Sequence, residues 1–302
     1  MKNMWIIIIT GAFLLSSCSE NTSGSRYPES SYYVSCVLEA QSYVDADKAV
    51  KLGSTMDIEN ARWDLLPVST AQVTITEFSP AGLQTAIVEL VWNDEARGYI
   101  DEDHEMLIRP EYCYHLQIVT IDGKLIEADT SVPMAINVLG DSQCNPAPAW
   151  AFDEPADDWL SLPADIADSQ HPVQIVTQND EEFNLYTEFW CYEDYTEAEY
   201  IYPEDDQNFP ADDEEYMGSS QQYPRRSMSF YMYQPENRLV NYNSYQGQMK
   251  FYGRTRMEVY SIDDNYINYL YKSEGYMSGG IKGGIGVFGS RCGRKLYTRV
   301  VK

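Results

Sequence analysis

Histidine, basic charge and catalytic signatures are scarce in this sequence. Only three histidines occur in 302 residues, His104, His115 and His171, too few for a poly-histidine metal centre. Lys and Arg total 21 against 47 Asp and Glu, a formal net charge of −26. Nucleic acid needs a basic surface, so it is a poor partner, and docking on an anionic leaflet through a basic patch is not expected. No Cys-x-x-Cys, Gly-x-Ser-x-Gly or His-Glu-x-x-His occurs. No Ser or Cys is set beside a plausible His, and enzymatic activity is not expected. What is abundant is tyrosine, 25 residues against nine phenylalanines. A Tyr-rich, acidic, Lys-poor chain has the composition of a β-rich secreted or surface protein.

The N-terminus reads as an address. Lys2 is a positive n-region, and Trp5 to Ile9 with Ala12 to Leu15 form an apolar h-region too short to be a spanning helix. Leu15-Ser16-Ser17-Cys18 resembles a lipobox. That resemblance implies a signal peptide over 1–17, cleavage before Cys18, and lipid on its thiol and new amine. Several acyl chains anchor stably where one does not. Residues 18–29 form a polar tether. Ser19 and Glu20 do not match an aspartate-type inner-membrane retention signal, so the outer membrane is favoured, with the cell surface ahead of the periplasmic face. The covalent lipid aside, no cofactor is predicted. Five further cysteines remain, Cys36, Cys113, Cys144, Cys191 and Cys292, as structural bridges or buried thiols.

Residues 30–138 carry short alternating segments. Tyr32–Leu38, Ala71–Phe78, Thr85–Trp92, Tyr112–Ile121 and Lys124–Val132 read as strands. Tyr112, Tyr114, Leu116 and Ile118 share one face, and Asp122-Gly123 signals a hairpin turn. The expectation is an immunoglobulin-like β-sandwich. Cys36 and Cys113 could form its inter-sheet bridge, but Cys113 faces away from Tyr114 and Leu116. Residues 139–302 are expected to form a second antiparallel β domain, giving an all-β protein. Its strands are Val173–Thr177, Phe183–Cys191, Ser227–Tyr233, Gln248–Tyr252 and Arg256–Ile262. Asp263-Asp264 caps one short helix bearing Tyr266, Ile267, Tyr269 and Leu270 at helical spacing.

From Leu125 to Pro224 there is no Lys or Arg but 24 acidic residues. Residues 192–216 read as a long acidic, Tyr-dotted loop. After Gly280 the tail reverses sign with Lys282, Arg291, Arg294, Lys295, Arg299 and Lys302. The acidic runs match no EF-hand or RTX spacing, so calcium is not predicted and solvated charge is the expectation. The Gly279–Gly289 segment lacks the Lys-Ser/Thr of a phosphate loop, and close strand approach at a bend explains it better. The candidate contact residues are Trp190, Tyr192, Tyr195, Tyr200 and Tyr202 with Asp205, Asp206, Asp212 and Asp213. Tyr and Trp bury large area at little rotamer cost and also stack on sugars.

Several segments together resemble a known pattern. Arg109 to Ile118, then Asp122-Gly123, then Ala128-Asp129-Thr130-Ser131-Val132-Pro133 fit "Tyr-x-Leu-x-Val, Asp-Gly, Ala-x-Thr-x-Val-Pro". Ala71-Gln72-Val73-Thr74-Ile75, Tyr260 to Leu270 and Gly283 to Gly289 fit in the same order. The pattern resembles a family of Bacteroidota outer-membrane lipoproteins with a domain of unknown function, encoded near TonB-dependent receptor genes. The resemblance implies two β-rich parts, no catalytic residues, and an outer-membrane β-barrel as partner. The expected function is a non-enzymatic accessory or scaffold subunit of a membrane-protein complex. A ligand- or glycan-binding lipoprotein, or an adhesin or structural surface component, is the alternative.

Overall fold

The computed structural model describes residues 32–54, 66–139, 149–164, 173–176, 184–193, 199–201, 226–233, 239–240, 249 and 251–302. Cys18, the tether and Cys144 lie outside these residues, as do Tyr195, Tyr202, Asp205, Asp206, Asp212 and Asp213 of the acidic loop. Among the described residues the protein is all-β with a single α-helix.

The first part comprises β1 (Tyr32–Glu39), β2 (Lys51–Ser54), β3 (Leu66–Pro67), β4 (Gln72–Phe78), β5 (Gln84–Asn93), β6 (Gly98–Ile100), β7 (Cys113–Val119) and β8 (Leu125–Ser131). The alternation seen in the sequence becomes burial with a period of two. Val34, Cys36 and Leu38 of β1 point inward, as do Val73 and Ile75 of β4 and Tyr114, Leu116 and Ile118 of β7. These side chains form one core between β1–β2 and the β8-β7-β4-β5-β6 layer. The Asp122-Gly123 turn closes the β7–β8 hairpin, with the Gly123 N–H donating to the Thr120 carbonyl.

Tyr114 makes a tyrosine corner, a hallmark of Greek-key sandwiches. Its buried hydroxyl accepts from the Arg109 N–H at 2.7 Å and donates to Glu77 Oε2 at 2.8 Å. Glu77 is fully buried, and it also accepts from Thr85 at 2.6 Å and pairs with Arg109 at 3.4 Å. Tyr114→Phe leaves an amide and a carboxylate oxygen short of a partner, so a loss of about 1–3 kcal/mol is expected. Urea unfolding checks this; a midpoint equal to wild type would remove the corner as a stabilising device.

The second part adds β9 (Asn137–Leu139), β10 (Ala151–Phe152), β11 (Ser161–Pro163), β12 (Val173–Val176), β13 (Asn184–Cys191), β14 (Arg226–Tyr233), β15 (Leu239–Val240) and β16 (Gly253–Ile262). It ends with helix α1 (Asp264–Tyr271), β17 (Ile281–Lys282) and β18 (Ile285–Val301). β15-β12-β9 is a small sheet of three strands. The large sheet runs β14-β13-β16-β18-β1-β2-β3, with β10 and β11 also on β18. The strand expected over Gln248–Tyr252 reduces, among the described residues, to one bridge between Tyr200 and Phe251. Gly253, at φ +109°, is the first residue of β16.

Strand pairing crosses residue 138. β18 is 17 residues long and pairs in parallel with β1 from Tyr33 to Glu39, while β17 pairs with β8. The second part is therefore not purely antiparallel, since β18 also runs parallel to β11. Parallel neighbours need a long crossover, and here nearly the whole chain supplies it. The glycines make the seam possible. Gly286, at φ +114°, lies against β1, where an added Cβ would sit 1.9 Å from the Val34 carbonyl oxygen.

Asp263 caps α1 as the sequence indicates. Its Oδ1 accepts from the N–H groups of Tyr266 and Ser290, and its Oδ2 accepts from the Thr130 hydroxyl at 2.7 Å. One carboxylate thus ties α1 to β8 and β18. Cys36 and Cys113 form no bridge: Cys36 is buried, Cys113 is exposed on the outer face, and both are free. Cys191 and Cys292 are also free and buried, and burial pushes each thiol up to about 11.

Candidate functional site

β13, β16 and β18 have two unlike faces, set by the strand period. One carries Leu185, Phe189, Met257, Val259, Leu296 and Val300 into the second core. The other places three cross-strand rows side by side. Tyr186 lies beside Tyr260 and Gly293, Glu188 beside Glu258 and Lys295, and Trp190 beside Arg256 and Tyr297.

The middle of this face is a buried charge network. Arg291 donates to Glu39 at 2.6 Å and sits 4.1 Å above the Tyr260 ring. Its other terminal nitrogen lies 3.8 Å from Glu258. Glu258 accepts from the Tyr260 hydroxyl at 2.9 Å and pairs with Arg256 at 2.8 Å. Burial alone would push the Glu39 carboxyl up, but the charges of Arg291 and Lys295 outweigh it and hold the group below its ordinary value. Burial raises the Tyr260 hydroxyl well above its usual value, so it stays a neutral donor.

At the β18 C-terminal end the face becomes aromatic. The Arg256 guanidinium stacks 5.2 Å from the Trp190 ring and 5.6 Å from the Tyr192 ring, and donates to the Tyr192 hydroxyl at 2.7 Å. Trp159, just before β11, packs 5.9 Å from Tyr192 and 6.0 Å from Tyr297. Glu193 holds Arg254 at 3.0 Å and accepts from its backbone N–H at 2.7 Å. Trp159, Trp190 and Tyr192 are half-buried. Four separated stretches of chain thus converge on a partly open platform of indole, phenol and guanidinium groups, the types that dominate binding hot spots.

Of the residues singled out from sequence, Trp190 and Tyr192 belong to this platform. Tyr200 does not; its ring packs, tilted, 4.6 Å from that of Phe251. Tyr186 is a core residue packed on Tyr266 at 5.6 Å. Trp159, Arg256 and Tyr297 escape sequence reading. The one available signal, Arg-x-Arg at 254 and 256, looks like an ordinary solvated strand face.

A second depression, of about 600 Å³, lies where the two parts meet, lined by Cys113, Tyr114, Asp129, Ser131, Asp263 and Asn265. Two of its carboxylates are engaged in the fold, Asp129 with His115 at 2.8 Å and Lys282 at 3.2 Å, and Asp263 as the helix cap. Among the described residues no group of three His, Cys, Asp or Glu side chains is placed to hold a metal. Among them, too, no helix is long and apolar enough to cross a membrane.

No known family's sequence model matches the chain, and no curated protein matches it. One similar solved structure comes from work on host cell surface retention of a 1.5-MDa bacterial ice-binding adhesin. It has a TM-score of 0.18 and 9% identity, and the match covers 90% of this chain and 64% of the adhesin chain. A likeness of that size carries no argument about fold or function.

Proposed function

We propose that the protein is a non-enzymatic, lipid-anchored outer-membrane lipoprotein, displayed at the cell surface, that binds a membrane-protein partner through the aromatic and arginine platform. The observation that carries this reading is the convergence of Trp159, Trp190, Tyr192 and Tyr297 around Arg256. The family resemblance supports an outer-membrane barrel, such as a TonB-dependent receptor, as the partner. Acidic residues follow the platform closely in sequence, from Glu204 to Glu215. Their one-signed field favours a partner with a basic face and speeds encounter.

The test is a gentle-detergent pull-down of the tagged protein from native outer membranes. A stoichiometric barrel is expected with wild type. Trp159→Ala/Tyr192→Ala should weaken capture by about thirtyfold or more, the loss of a hot-spot pair. A retained far-ultraviolet dichroism spectrum and a cooperative urea transition separate this from unfolding. Full recovery of the partner with the double variant would sink the platform as the binding site. The same rings favour a second reading, sugar stacking, because indole and phenol faces pack on sugar rings. Retention of wild type on a polysaccharide, with no barrel captured, would replace the first reading by this one.

A further inference from the structure

The end of the molecule opposite the aromatic platform has its own chemistry. Large apolar side chains are exposed there together: Ile121 at 80%, Leu125 at 47%, Val91 at 42% and Val119 at 38%. The strand register explains the grouping. Val119 faces Leu125 across β7–β8, Gln72 of β4 faces Val119, and Ile121 lies in the hairpin turn just beyond. The next row inward is polar, with Glu89, Thr74, Gln117 and Glu127 in register. The apolar layer is therefore about one residue deep.

The chain enters the described fold at this same end. The Tyr32 hydroxyl donates to Asp122 of the turn at 3.1 Å, and Lys124 Nζ lies 5.2 Å from the Tyr32 ring. Asp122 also accepts from the Thr120 hydroxyl. The acid of the turn thus finds partners within the protein, and its carboxyl is held below its ordinary value by Thr120 and Tyr32 despite its desolvation. Tyr32 and Lys124 each combine an apolar body with a polar tip, the form suited to a headgroup layer.

From Cys18 to Tyr32 the chain runs only 14 residues. Fully extended, a chain of that length reaches no more than about 50 Å. The platform is far away: the thirteen residues of β18 from Ile285 to Tyr297 cover about 40 Å at the usual strand rise.

We propose that the Val119, Ile121 and Leu125 tip rests on the lipid surface beside the anchor, a proposal that rests on the lipid-anchored reading above. The tip touches the headgroup boundary without inserting deeply, because the row behind it is polar. The tether holds it within reach, and apolar contact supplies the orientation. The molecule then stands on β7–β8 and Tyr32, with β18 running away from the membrane and the aromatic platform presented at its far end.

The test is hydrogen–deuterium exchange of the lipidated full-length mature protein in vesicles of phosphatidylethanolamine and phosphatidylglycerol. The comparison is with Ile121→Ser/Leu125→Ser in the same vesicles, with mass spectrometry of the Cys18 peptide. Both replaced side chains are exposed, so the fold is retained. Amides of residues 119–125 should exchange about tenfold more slowly in wild type than in the variant after correction for intrinsic rates. The Ser79–Leu83 turn, at the other end of the same sheet, should exchange alike in both. Lipidated wild type whose 119–125 amides exchange as in the variant would overturn the proposal. Protection that appears only in a complex with a barrel, and not in lipid vesicles, would also overturn it and assign the tip to a protein. Absence of lipid on Cys18 would overturn it at the anchor rather than at the tip, and the mass measurement tells these failures apart.

Discussion

Gly286→Ala is expected to cost about 3–5 kcal/mol or to prevent folding. Two penalties act on the same Cβ. The backbone is at φ +114°, which L side chains rarely adopt, and the new methyl group would lie 1.9 Å from the Val34 carbonyl oxygen. Relief requires β18 to move off β1, which breaks the parallel ladder between Tyr33 and Glu39. It also withdraws Phe288 and Cys292 from the first core. Gly82→Ala is the matched control. Gly82 is at φ +76° with no atom within 4 Å of an added Cβ, so only the backbone penalty of about 1 kcal/mol applies. Denaturant unfolding of both variants checks the difference. Equal midpoints would show that β18 is not locked against β1 at this position.

The same seam marks the limit of what the residues reveal in linear order. Strands whose inner faces meet a single core are legible, because burial follows alternation: Val73 and Ile75, or Leu116 and Ile118, declare themselves. The cap at Asp263 is equally local, since an acid before a helical Tyr-Ile-x-Tyr-Leu pattern has one economical use. β18 is different. Val287, Phe288, Gly289 and Ser290 are buried in succession, because the strand has protein on both faces. A strand covered on both sides loses its period of two. Its parallel pairing with β1 joins residues about 250 positions apart, and nothing in either segment encodes the other as partner. The platform was hidden for the same reason. Trp190 and Tyr192 can be suspected from their neighbours in sequence, but Trp159, Arg256 and Tyr297 reach them only through the register of three strands.

Arg291→Leu should destabilise the protein by about 3–5 kcal/mol at neutral pH, the usual loss when one partner of a buried ion pair is removed. The guanidinium is 18% exposed and Glu39 is 13% exposed, so solvent cannot substitute for the lost contact. The stacking over Tyr260 is lost as well. The pH dependence separates charge from packing. In wild type the Glu39 carboxyl lies below its unfolded value of about 4.3. It therefore adds stability above that pH, and the stability is lost as pH falls through the folded value. In Arg291→Leu the desolvation remains while the main neutralising charge is gone, so the Glu39 carboxyl should move above its unfolded value. Protonation then favours the folded variant, and its deficit should shrink between pH 7.5 and pH 5. Glu39→Gln/Arg291→Leu should recover part of the loss at neutral pH and show a flatter profile, since the two residues couple directly. Unfolding free energies of the three proteins at both pH values decide the matter. A deficit identical at both pH values, unrelieved by Glu39→Gln, would mean that Arg291 acts by filling space beneath the binding face and not by neutralising the acids that cross it.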